Sequence, residues 1–160
     1  MSNIYFLTRL PVPSSPPPTL PSGTAMLFAD DNWGSESATL RTADYPESVR
    51  HLFDGTTMQQ QATVIAFNLP VGTVMTLMDG IVPPNDLRFC GRFVDLVGTG
   101  KTEAVNLMTL NVNHRLSGFF WRKVDLDRGA IELFADTNFH GDRTTIFLGQ
   151  WPTAKEVRAS

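Results

Sequence analysis

The stretch Val97-Gly98-Thr99-Gly100-Lys101-Thr102 has the glycines, lysine and hydroxyl of a phosphate-binding loop. Such a loop cradles phosphate with backbone N–H groups and needs a glycine or close substitute five residues before Gly100, a parallel strand ahead and a long helix behind. Asp95 holds that place and would repel phosphate, so the stretch reads as a solvated turn. His51, His114 and His140 show no metal-ligand spacing. Cys90, between Phe89 and Gly91, reads as a small buried apolar side chain, since a nucleophile needs an activating base that the sequence does not place. Asp30-Asp31 and Asp125-Leu126-Asp127 could exchange protons, but turns and strand ends commonly carry such carboxylates. No catalytic set assembles, and the expectation is a protein that is not an enzyme.

The elements that would position these residues are short strands. Val64-Ile65-Ala66-Phe67-Asn68-Leu69 ends at Pro70, Thr73 to Leu77 follows Gly72, and Phe119 to Val124 precedes Asp125. Runs of this length, rich in Val, Ile, Thr and Phe and cut by Gly and Pro, predict an antiparallel all-β protein. Glu47–Phe53 and Glu103–Met108 have a composition that suits one or two helical turns. Six of the eleven prolines lie between Pro11 and Pro21, where fixed φ and missing donors predict an extended leader over residues 1–22 outside any sheet. Its PxxP spacings lack a basic flank, so a plain leader or linker is expected there rather than a recognition motif.

The chain repeats itself. Gly23-Thr24-Ala25-Met26-Leu27-Phe28-Ala29-Asp30, then Asn32 and Trp33, returns as Gly129-Ala130-Ile131-Glu132-Leu133-Phe134-Ala135-Asp136, then Asn138 and Phe139 (129 − 23 = 106 residues later). The register holds without a gap to Tyr45-Pro46 and Trp151-Pro152, which marks a duplicated supersecondary unit. A fainter copy, Gly72 to Asp79, falls between them.

This repeat resembles the βγ-crystallin Greek-key motif, which opens with an aromatic, four residues, a second aromatic, any residue and a glycine. Phe134, Phe139 and Gly141 match it fully; Phe28 and Trp33 match in the first copy, where Ser35 takes the glycine position. The middle copy has Leu77 for the first aromatic. The resemblance implies that the first aromatic packs across a folded-over hairpin, and that two motifs form a Greek-key sandwich by exchanging a strand between their sheets. It divides the chain into a βγ-crystallin-like domain at 23–128, made of motifs 23–71 and 72–128, and the first half of a further motif at 129–160.

Many members of this family bind calcium through Asn/Asp-Asn/Asp-x-x-Ser/Thr-Ser before the last strand, which offers the hard oxygen ligands the ion requires. Here the middle motif has Asn113-His114-Arg115-Leu116-Ser117-Gly118, keeping Asn113 and Ser117 but losing the second and sixth positions. The first motif offers Met58 to Thr63, or Asp54 to Gln59 in another register, and both are degenerate. The resemblance thus implies a non-catalytic structural or stress-related protein with no cofactor beyond weakly held calcium at Asn113, Ser117 and Asp54. The alternative is a secreted-type binding module, toxin-like or inhibitor-like, whose loops recognise a protein or glycan.

Composition narrows the partners. A net charge of −3 and a pI near 5.5 argue against nucleic acid and anionic membrane surfaces. The single cysteine precludes an internal disulfide, and the N-terminus lacks a signal-peptide pattern, so the expected location is cytoplasmic. A half motif at 129–160 leaves Ile131, Leu133, Phe134, Phe139, Ile146 and Phe147 in need of cover, which predicts self-association into a homodimer.

Overall fold

A computed structural model describes residues 13–34, 36–49, 51–53, 61–79, 93–108, 110 and 114–148. Eight strands make two four-stranded antiparallel sheets. They are β1 (Thr24–Phe28), β2 (Ser37–Arg41), β3 (His51–Leu52), β4 (Val64–Asn68), β5 (Thr73–Asp79), β6 (Phe93–Val97), β7 (Glu103–Asn106) and β8 (Leu116–Lys123). The first sheet runs β2-β1-β4-β7 and the second β3-β8-β5-β6. The third strand of each motif, β3 or β7, therefore lies in the other motif's sheet. A further hairpin of β9 (Ala130–Asp136) and β10 (His140–Phe147) forms a separate two-stranded sheet.

Period-two patterning explains which residues meet. Ala25 and Leu27 of β1, Ile65 and Phe67 of β4, Met75 and Leu77 of β5 and Phe119 of β8 point between the two sheets, joined there by Leu40, Phe53, Leu96 and Val105. β4 is buried on both faces, because Val64 and Ala66 on its outer side pack with Phe28 and Leu20. The glycines that open the three copies, Gly23, Gly72 and Gly129, share left-handed backbone at φ 77, 82 and 84. Their hydrogen bonding repeats too. Thr42 N donates to Gly23 O and Leu148 N to Gly129 O, again 106 residues apart (148 − 42).

Two expectations are corrected. Glu103–Asn106 is a strand, since Ala104 and Val105 are buried in register with Ala66 and Ile65 of β4 and tertiary pairing overrides the helical composition. Glu47–Phe53 is likewise not helical: His51 and Leu52 pair with Phe119 and Gly118 of β8. Residues 13–22 of the predicted leader are not free of the domain. They add no strand, as the prolines require, yet Leu20 is buried on the outer face of the first sheet. Asn68 Nδ2 donates to Leu20 O at 2.7 Å, and Trp33 Nε1 donates to Ser15 O at 3.3 Å. The prolines remove backbone donors, and the contacts run through the residues between them: the carbonyls of Ser15 and Leu20 accept, and Leu20 N donates to Thr102 Oγ1 at 3.3 Å. No helix among the described residues is long and apolar enough to cross a membrane.

Candidate functional site

The turn before β8 is the place to look for a cation. Asn113 and Asp54 lie outside the described residues, as do Cys90 and Met58 to Gln60 of the Met58–Thr63 stretch; His114 to Gly118 are described. His114 has left-handed backbone, φ 57, and its N–H donates to Ala62 O at 3.0 Å. Its Nε2 lies 3.1 Å from Thr63 Oγ1, while that hydroxyl donates to Ala29 O at 2.6 Å. With the Thr63 proton committed to Ala29, the bond to His114 requires the proton on Nε2, fixing that tautomer. The two stretches equivalent to calcium loops are therefore tied to each other, through the histidine that replaces the second ligand position.

The hydroxyl at the fifth position is also engaged. Ser117, 2% exposed, donates from Oγ to Arg115 O at 3.1 Å. Gly118, at the sixth position, faces β3 so closely that a Cβ there would lie 2.6 Å from His51 O. A serine at this position would force the exchanged strand to shift. Among the described residues no group of three His, Cys, Asp or Glu side chains is placed to hold a metal ion.

Each motif lends its third strand to its neighbour's sheet, and both sheets close on one core. The chain has the βγ-crystallin fold. No protein-family model and no curated protein matches the sequence. Among solved structures, one described as the evolution of the eye lens βγ-crystallin domain fold is similar with a TM-score of 0.48 and 15% identity, over 69% of this chain and 96% of that one. Spherulin 3A from Physarum polycephalum is similar with a TM-score of 0.42 and 16% identity, over 74% of this chain and 98% of that one.

The aromatic positions of the βγ-crystallin motif are placed as follows. Phe28, 3% exposed, meets Trp33 edge to face at 5.1 Å between ring centres, beside the leader. Left-handed backbone in the two outer hairpins falls at Trp33, φ 63, and Asn138, φ 60. Phe134 is half-buried in β9, Phe139 ends the 3₁₀ turn Thr137–Phe139, and Gly141 lies in β10 where the register shifts between His140 and Arg143. His51 is held among aromatic rings, 4.7 Å from Tyr45 and 5.4 Å from Phe119.

A polar cluster missed by sequence reasoning occupies the other face of the second sheet. Arg122, 5% exposed, bonds through Nη1 to Thr76 Oγ1, and Thr76 donates that hydroxyl's proton to Asp95 Oδ1. Arg122 Nη2 stands 3.7 Å from Asp95 Oδ1. The guanidinium also lies 5.0 Å from the Phe120 ring centre and 5.7 Å from that of Phe147, a β10 residue only 1% exposed. Burial lowers the Arg122 pKa, and the neighbouring Asp95 charge opposes that shift. The available signal was one polar residue inside each of two apolar runs, Thr76 and Asp95, and a charge, Arg122, closing the run Phe119-Phe120-Trp121. Only strand register brings them together. The cluster presents no reactive group to solvent, and its geometry suits fastening the C-terminal hairpin to the sheet.

Proposed function

We propose that this chain is a non-catalytic structural or stress-related protein, cytoplasmic in location, whose βγ-crystallin fold has weak or lost calcium binding. The observation that carries this reading is the engagement of the calcium-equivalent turn in its own hydrogen bonds, with Ser117 on Arg115 O and His114 on Thr63. Calcium needs six to eight oxygens free to converge, and here an imidazole replaces one oxygen ligand, Gly118 brings no side-chain oxygen to the sixth position, and Arg115 adds a positive charge. Isothermal titration is expected to find affinity no tighter than roughly 0.1–1 mM, with a melting temperature that does not respond to micromolar calcium. A submicromolar site would overturn the reading.

A further inference from the structure

Residues 13–21 lie on the outer face of the first sheet as an extended peptide lies in a groove. The floor is apolar, made of Phe28 of β1, Val64 and Ala66 of β4, and Ala104, which pairs with Ala66 from β7; all four are buried. Met26 and Trp33 border it, and Leu20 is buried against it. Polar groups along the floor meet the main chain of the segment. Trp33 Nε1 donates to Ser15 O at one end; at the other, Asn68 Nδ2 donates to Leu20 O and Leu20 N donates to Thr102 Oγ1. Bonds to main-chain atoms select extended backbone, and prolines fix that backbone before docking, which lowers the entropy lost on binding. An apolar groove with aromatic rings, an indole N–H aimed at a peptide carbonyl and a proline-rich occupant are the parts from which proline-rich segments are recognised.

Two observations set this face apart from ordinary packing. Trp33 holds left-handed backbone, φ 63, a conformation that strains a bulky residue, and such strain concentrates where side chains clamp a ligand. Asn68 Oδ1 is buried with no hydrogen-bond partner among the described residues, so the resident segment leaves one polar group of the groove unmatched. The segment itself is lightly held: Ser14, Pro16, Thr19 and Pro21 are exposed, and it joins the fold through the exposed Ser22. We propose that this face is a binding groove for proline-rich segments of other proteins, closed in cis by residues 13–21. Its ligand is an extended segment that presents a carbonyl to Trp33 and, five residues later (20 − 15), a leucine to Phe28, Val64 and Ala66. The short tether keeps the leader at an effective concentration on the order of millimolar, so an outside segment enters when the leader is unseated.

A fluorescein-labelled peptide with the sequence of residues 13–22, titrated into the full chain and read by fluorescence anisotropy, tests this. Leu20→Asp in the protein, which unseats its own leader, is expected to allow saturable binding at least about tenfold tighter than to the parent chain. Leu20→Asp in the peptide should weaken that binding at least about tenfold, and replacing the prolines of the peptide by alanine should weaken it about threefold or more. Bound peptide should return the Trp33 indole N–H resonance of the Leu20→Asp protein to its position in the parent. A full chain with a protease site inserted between Pro21 and Ser22, cut after folding, frees the test from that substitution: the cut leader should leave on dilution, and the peptide should then bind. No binding to either opened form at about 1 mM peptide, binding that leaves the Trp33 resonance unmoved, or equal binding of the alanine peptide overturns the proposal. So does a cut leader that leaves only on unfolding, because the segment would then be a permanent cover of the sheet. A parent chain of twice 17.7 kDa by light scattering, with leaders exchanged between two copies, also overturns it.

Discussion

Replacing Asp95 by Ala removes the carboxylate beside Arg122, a charged and buried guanidinium that faces two phenylalanine rings. At 3.7 Å and an effective dielectric of about 20, the lost attraction is about 4.5 kcal/mol. Much of that attraction only offsets the cost of drying both side chains, 6% and 8% exposed, so the ion pair contributes little compared with an apolar filling of the same volume. Removing one partner is a different matter, because the desolvation cost of the other remains. Asp95→Ala is therefore expected to cost about 3–5 kcal/mol, read as a fall in denaturation midpoint and in melting temperature by about 10 °C. The lowered Arg122 pKa agrees in sign: burial disfavours the charged guanidinium in the folded state more than Asp95 favours it. It follows that the triple variant Thr76→Val, Asp95→Leu, Arg122→Met should return to within about 1 kcal/mol of the parent. Chemical denaturation of parent, single and triple variants settles the point. A single variant losing less than about 1 kcal/mol, or a triple variant as unstable as the single, would refute the reasoning.

Two further outcomes concern packing. Gly118→Ala, whose Cβ would lie 2.6 Å from His51 O, should open the β3–β8 pairing and cost about 2 kcal/mol or more, measured by urea denaturation and by faster amide exchange at Leu52. Leu20→Ala, at a residue 6% exposed against Phe28 and Val64, should lower stability by about 2–3 kcal/mol. An unchanged midpoint would mean that the Pro-rich segment does not hold to the sheet in solution.

The sequence carried the fold in two signals that reinforce each other, a gapless 106-residue repeat and period-two patterning, because a duplicated motif must bury the same face each time. The middle copy, lacking the aromatic at Leu77, was still recognisable, since Gly72 keeps the left-handed backbone of Gly23 and Gly129. What local pattern could not show was contact between distant segments. The prolines of residues 13–21 announce that no strand forms there, but say nothing of Leu20 filling the outer face of β1 and β4. Glu103–Asn106 looked helical because composition is local, and its strand state comes from β4, 38 residues earlier in register (104 − 66). Thr76, Asp95 and Arg122 carry no meaning singly. At the cation turn, the family resemblance suggested Asn113 and Ser117 as ligands, whereas the bond from His114 to Thr63 depends on where the neighbouring motif lies.

The exchange of third strands sets an order of events during synthesis. β3 pairs with β8, and His51 meets Phe119 only after another 68 residues (119 − 51) have been made. At roughly 5–20 residues per second, the first motif waits about 3–14 s with Leu52 and Phe53 lacking their final neighbours. β4 waits on one edge until β7 arrives 38 residues later (104 − 66), about 2–8 s at the same rate. A nascent chain halted after residue 71 thus holds two unpaired edges and half a core, and its folding is a single late event governed by long-range closure rather than a stepwise build from the N-terminus.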